Sequence, residues 1–193
     1  MLNIALLIAV LGTSLTKRGR SLLAENRKLI FCVAAASLFA FLFIVSALQY
    51  RAMAADPFAR LFLPPHQSLK YFVIAVAWAR IFAPYVTSFL VSLIFLFVSE
   101  RYNRKFGGKF FERDETYIGS LSIFLVGHPQ WIFYLVSLIV LYVLVQLYVR
   151  FVNRKPEERV PLYYLWVPTA IFVILISKYW LSSFDFWRLL VFS

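Results

Sequence analysis

The residues best suited to chemistry form one acidic cluster, Glu112-Arg113-Asp114-Glu115, which precedes an apolar stretch. Glu112 and Glu115 are three residues apart, so they share a face wherever the chain is helical. Two carboxylates that share a proton can activate water, which is the chemistry of an intramembrane aspartyl-type site. Carboxylates at a helix N-terminus are also favoured by the helix dipole, so the cluster has a purely structural explanation as well.

The catalytic hypothesis assigns Asp114 and Glu115 as the reacting carboxylates and needs a second carboxylate close to them. The remaining acidic residue of the cluster, Glu112, is assigned to the membrane interface or to an ion pair. Four other carboxylates are predicted on the same side of the membrane: Glu25, Glu100, Glu157 and Glu158. The structural alternative needs no such partner.

Other reactive side chains are sparse. His66 and His128 are the two histidines, each next to a proline, and Cys32 is the single cysteine, inside an apolar run. A zinc site needs about four ligands, and a disulfide needs two cysteines. We therefore expect no metal site, no cofactor and no disulfide within the chain. Gly-rich phosphate-binding motifs are also absent from the sequence.

The composition places these residues in a membrane protein. Of the 193 residues, 62% are hydrophobic and 15% are charged, and the mean hydropathy is +0.78. Soluble domains carry about 25% charged residues. The length is that of one domain. We therefore expect an all-α fold, in which residues 1–193 form a single transmembrane domain built as a polytopic helical bundle.

Six apolar segments define the predicted bundle, of which about five are full spans. Their approximate bounds are 2–16, 29–48, 81–98, 116–126, 131–149 and 160–177. Residues 29–48 carry no charge and match the ~20 residues that cross a hydrocarbon core of ~30 Å. Residues 116–126 reach only about 17 Å. This short segment is either extended by Phe110 and Phe111 or is re-entrant and shielded by protein.

Arg80 and a Gly-Pro stretch set the boundaries in the middle of the chain. Arg80 interrupts the apolar run 71–98, and an unpaired arginine at mid-bilayer is costly. We therefore expect residues 69–79 to lie along the outer interface, with Arg80 as an interface anchor or ion-pair residue before the span 81–98. The Gly127-His128-Pro129-Gln130 stretch predicts a turn between the fourth and fifth segments.

The net charge of +11 is distributed unevenly between the two predicted sides. With the N-terminus outside, fourteen of the twenty basic residues fall inside: Lys17, Arg18, Arg20, Arg27, Lys28, Arg101, Arg104, Lys105, Lys109, Arg113, Arg150, Arg154, Lys155 and Arg159. This asymmetry follows the positive-inside rule and supports an N-terminus outside. We expect a bacterial inner membrane, with an organellar membrane as the alternative. The asymmetry also predicts attraction of anionic lipid headgroups. Basic residues confined to loops do not predict a nucleic-acid partner.

Residues 107–176 resemble the C-terminal half of type IV prepilin peptidases, mostly in the lengths of their apolar segments. In this resemblance Gly107-Gly108 is the Gly-rich loop, and Glu115 falls at the position of the catalytic aspartate. Gly127-His128-Pro129 matches the outer turn, and Val160-Pro161-Leu162 matches the start of the next span. The Gly-x-Gly-Asp motif of the family is replaced here by Glu112-Arg113-Asp114-Glu115. The resemblance implies an intramembrane aspartyl protease that works at the cytoplasmic surface, or a degenerate relative.

Three functions remain open at this point. The first is a non-catalytic subunit or scaffold of a membrane assembly, because the spans are nearly free of charge and the chain is rich in aromatic residues. Its expected partners are the lipid bilayer and other membrane proteins. The second is the prepilin-peptidase-like protease, and the third is a small transporter or channel subunit with a polar path at an oligomer interface.

Overall fold

The computed structural model describes residues 2–14, 21, 25–108, 111, 115–151, 162–180 and 183. Over these residues the chain is helical and has no β-strand, which confirms the predicted all-α class. The helices are α1 (Leu2–Ser14), α2 (Arg27–Ala55), α3 (Leu69–Lys105), α4 (Glu115–Val126), α5 (Gln130–Phe151) and α6 (Tyr163–Tyr179). A 3-10 turn at Ala59–Phe62 lies between α2 and α3.

Helix α2 continues beyond the predicted apolar segment 29–48 and ends at Ala55. The extension is possible because Gln49, Tyr50 and Arg51 are all compatible with helix. Asp56 then ends the helix in an extended conformation, and its carboxylate accepts hydrogen bonds from the backbone N–H groups of Phe58 and Ala59 at 2.8 and 3.0 Å. This Asx-type turn starts the 3-10 turn that follows.

Helix α3 corrects the predicted break before Arg80. Residues 69–79 are not separated from residues 81–98 by a break, because the chain is helical without interruption from Leu69 to Lys105, over 37 residues. The position of residues 69–79 along the outer interface stays a prediction. The first part of α3 contains a π-helical segment, Phe72–Phe82, in which the backbone N–H of Ala83 bonds the carbonyl of Trp78. Pro84 comes two residues after the end of this segment and cannot donate a backbone hydrogen bond. The wider turns before Pro84 therefore keep the helix continuous where the sequence predicted a boundary.

Helix α4 is the centre of the bundle. All twelve of its residues are buried, although it is only about 18 Å long. It packs against α1, α2, α3, α5 and α6. The α3 face toward it is lined with buried serines, Ser88, Ser92 and Ser99, whose small side chains allow close approach of the two helices. Helix α4 is thus enclosed by protein over its full length.

Three helices, α2, α3 and α5, are long and apolar enough to cross a membrane. The five full spans predicted from the sequence are not confirmed, because α1 has 13 described residues and α6 has 17. Large apolar side chains cover the outer faces of the long helices, with Phe43 67% exposed on α2, Phe97 68% on α3 and Ile139 63% on α5. Such surfaces are unfavourable in water and favourable in lipid.

Contacts between helix termini define two ends of the bundle. At one end, which we call the Asn3 end, the Asn3 amide donates hydrogen bonds to the Tyr85 hydroxyl at 3.0 Å and to the Leu125 carbonyl at 2.7 Å. At the other, which we call the Arg27 end, the start of α4 meets the starts of α2 and α6, with Arg27 over the ring of Tyr117. Helices α2, α4 and α6 therefore run parallel to one another, and α1 and α3 run antiparallel to them.

Candidate functional site

The acidic residue at the start of α4, Glu115, is buried, with 3% of its surface exposed. Its Oε1 atom accepts a hydrogen bond of 2.9 Å from the backbone N–H of Tyr163, the first residue of α6. The first N–H groups of a helix have no partner within the helix, and the helix dipole favours a negative charge there. Glu115 therefore caps the N-terminus of a helix 48 residues further along the chain.

This contact agrees with the structural explanation of the acidic cluster, because a carboxylate lies at a helix N-terminus. Glu115 is in the first turn of α4, and its hydrogen bond goes to the start of α6. Asp114 and Glu112 lie outside the described residues. The catalytic assignment of Asp114 and Glu115, and the interface assignment of Glu112, therefore stay predictions.

The C-terminal end of α4 is held by side chains from two other helices. The last four carbonyl groups of a helix have no intrahelical donor. Here the Ser88 hydroxyl of α3 donates to the carbonyl of Phe124 at 3.2 Å, and the Asn3 amide of α1 donates to that of Leu125. Within α4, the Ser120 hydroxyl donates to the carbonyl of Thr116 at 2.7 Å. The Ser88 and Asn3 side chains thus join α3 and α1 to the end of α4.

The turn between α4 and α5 lies at the predicted Gly-His-Pro stretch. Gly127 has a φ of +81°, a conformation that favours glycine. The backbone N–H of His128 donates to the carbonyl of Pro84 at 3.3 Å, and its Nδ1 accepts from the Trp131 indole N–H at 3.2 Å. His128 thus fixes the turn against the start of the α-helical part of α3.

A cavity of about 710 Å³ opens at the Arg27 end, between the start of α2, the end of α3 and the first turn of α4. We call it the basic cavity. Its charged lining residues among the described part of the chain are three cations and one carboxylate: Arg27, Lys28, Arg104 and Glu100. Arg104 and Glu100 form an exposed ion pair of 3.2 Å, which leaves a positive balance at the cavity.

The wall of the basic cavity is fixed by two contacts that the sequence did not predict. The Asn103 side chain donates to the carbonyl of Phe111 at 2.8 Å and accepts from its N–H at 3.2 Å, so it holds the chain between α3 and α4. The Arg27 guanidinium lies 5.2 Å from the centre of the Tyr117 ring. The only sequence signal was that Arg27 and Lys28 immediately precede an apolar run; nothing local pairs them with α4.

Arg80, predicted as an interface or ion-pair residue, lies exposed in the π-helical segment of α3. No carboxylate within the described ranges forms an ion pair with it. In those same ranges, no three His, Cys, Asp or Glu side chains come together as a metal site. Cys32 lies exposed on α2.

No protein-family model matches this sequence, and no curated protein or solved structure is significantly similar to it.

Proposed function

We propose that this protein is a multi-pass membrane protein that serves as a non-catalytic subunit or scaffold of a membrane assembly. In this proposal α1, α2, α3, α5 and α6 all lie across the membrane, and α4 is a short segment enclosed by them. The N-terminus lies outside a bacterial inner membrane, so that the Arg27 end faces the cytoplasm.

The observation that carries the proposal is the contrast between the centre and the outside of the bundle. The polar groups of α4 at Glu115 and Ser120, and the carbonyls at its far end, are bonded to other parts of the same chain. The outer faces of α2, α3 and α5 instead present large apolar side chains. Internal polar bonds hold the helices together, and the outer faces are available for lipid and for other membrane helices.

The distribution of charge supports the proposed orientation. Arg27, Lys28, Arg101, Arg104, Lys105 and Arg150 are at helix termini that point toward the Arg27 end. Arg51, Arg60, Lys70, Arg80 and Lys178 lie toward the Asn3 end, so the described residues alone give six basic residues against five, and the larger excess is the fourteen of twenty counted over the full sequence. Because the excess of basic residues in short loops marks the cytoplasmic side, the Arg27 end is assigned to the cytoplasm.

Thiol labelling tests the orientation. With Cys32 replaced by serine, single cysteines are introduced as Gln67→Cys, before α3, and as Lys105→Cys, at its end. We expect a membrane-impermeant maleimide to label Gln67→Cys in intact cells and Lys105→Cys only after the membrane is permeabilised. The reverse pattern would invert the proposed topology, and labelling of both positions in intact cells would exclude a span between them.

Site-specific photo-cross-linking tests the assembly. A photoreactive amino acid is placed at Val136, Val140 or Leu144, which are exposed and lie on one stripe of α5. Phe43 on α2 is the control position. We expect the α5 stripe to cross-link one defined membrane protein whose amount in the membrane falls when this chain is deleted. Cross-links to lipid alone from all four positions would contradict a role as a subunit.

A further inference from the structure

The basic cavity has the charge and position of an anion site. Arg27, Lys28 and Arg104 line it, together with the first turn of α4 through Thr116 and Tyr117. A helix N-terminus adds a partial positive charge and backbone N–H groups to this side of the cavity. The three side chains and the helix terminus come from three different helices, so the folded bundle assembles the positive charge in one place.

An apolar groove lies beside the basic cavity on the outside of the bundle, and a narrow cleft of about 20 Å³ connects the two. This cleft shares two lining residues, Arg27 and Tyr117, with the basic cavity. It shares two others, Ile30 and Leu121, with the groove. The stacked pair of Arg27 and Tyr117 therefore stands at the boundary between polar and apolar surface.

The groove itself lies between α1 and α2 and has a volume of about 310 Å³. We call it the α1–α2 groove. Its walls are apolar residues of both helices, such as Leu6, Val10 and Val33, and Leu121 of α4 closes the bottom. The hydroxyl of Thr13, which also lines it, donates to carbonyl groups of its own helix at 2.9 and 3.0 Å. The groove thus offers an apolar surface to its occupant.

We propose that the basic cavity and the α1–α2 groove together bind one anionic phospholipid. The phosphate lies in the cavity, near Lys28 and Arg104, and an acyl chain lies in the groove. Basic pockets between transmembrane helices on the cytoplasmic side bind lipid headgroups in this manner. The order of surfaces, from charged through amphipathic to apolar, matches the order of groups along a phospholipid.

A soluble phosphate compound would use the basic cavity alone. It would gain nothing from the α1–α2 groove, which carries apolar side chains and opens toward the lipid-facing side of α1 and α2, where Ile8 and Leu29 are exposed. The continuity of the two surfaces therefore favours a lipid. This inference rests on insertion into a membrane, which flotation with vesicles measures separately, and it does not depend on the proposed assembly.

Binding is tested with the full chain in detergent micelles, with phosphatidylglycerol added and bound lipid counted by native mass spectrometry. The double variant Lys28→Gln/Arg104→Gln is expected to weaken binding roughly fivefold for each charge removed. Both side chains are exposed, so the fold is expected to persist. The matched control, Arg51→Gln/Arg60→Gln, removes two exposed arginines at the Asn3 end and is expected to leave binding unchanged. If both double variants weaken lipid binding equally, the proposal fails. The lipid would then be attracted by the net charge of the protein and not by the basic cavity.

The groove is tested by the substitution Ala9→Phe, which fills it, with Ala5→Phe as a matched control on α1 outside the lining. Ala9→Phe is expected to weaken phosphatidylglycerol binding at least tenfold and to leave the weak binding of glycerol 3-phosphate unchanged. Ala5→Phe is expected to change neither. If glycerol 3-phosphate binds as tightly as the lipid, the ligand is a soluble phosphate and the lipid proposal fails. If Ala9→Phe leaves lipid binding unchanged, the groove is not part of the site.

Discussion

Replacement of Gly119 by alanine is expected to lower the free energy of unfolding by about 1–3 kcal/mol. A Cβ atom at Gly119 would lie 3.0–3.1 Å from three atoms of the Trp166 ring, closer than packed carbon atoms normally approach. Trp166 has little room to move, because it is only 2% exposed. The centre of its ring lies 5.6 Å from the ring centre of Phe95 and 6.4 Å from that of Tyr134. The added methyl group therefore pushes α4 and α6 apart.

Thermal unfolding in detergent micelles measures this effect. In a chain of this size, each kcal/mol of lost stability lowers the midpoint temperature of unfolding by about 2–4 °C. Gly12→Ala in α1 is the matched control, because a Cβ there meets nothing within 4 Å. It is expected to leave stability unchanged or to raise it, since alanine is the better helix former. The variant Trp166→Phe removes the ring atoms that crowd Gly119. The cost of Gly119→Ala should then fall, and an unchanged cost would place the strain elsewhere.

The substitution Glu115→Ala is expected to destabilise the bundle by about 1–3 kcal/mol, because it removes the carboxylate that accepts the hydrogen bond of the Tyr163 backbone N–H at a buried position. Glu115→Gln keeps an oxygen at the same place and is expected to cost clearly less. The same unfolding measurement, made on both variants, gives the comparison. Equal losses for Ala and Gln would show that the negative charge, more than the hydrogen bond, supports the start of α6.

Glu100→Ala is the control for Glu115→Ala. Its carboxylate pairs with Arg104 at the surface, and exposed ion pairs contribute only about 0–1 kcal/mol. Activity in the cell gives a second readout. A Glu115→Gln strain with a stable protein but the full phenotype of a chain deletion would contradict the structural role and support the catalytic assignment of Glu115.

The amino-acid sequence by itself determined the class of the fold and several of its boundaries. The uncharged stretch 29–48 lies within α2, and the long apolar run after Gln130 forms α5. The turn at Gly127 and Pro129 was predictable because glycine and proline restrict the backbone locally. Length also showed that residues 116–126 could not cross a bilayer unaided. These features depend on hydropathy, charge and backbone chemistry over a few residues, which a sequence displays directly.

Only the tertiary structure decided which surfaces face each other. Helices that are apolar on all sides give no periodic signal for an inner face, so the burial of α4 could not be predicted from its residues. The hydrogen bond from Tyr163 to Glu115 and the stacking of Arg27 on Tyr117 join residues far apart in the chain. The continuity of α3 through Arg80 was missed because the cost of an arginine in lipid predicted a boundary. The physical reason for the first two is that packing energies depend on neighbours that come together only when the chain folds, whereas the continuity of α3 depends on the local π-helical turns before Pro84.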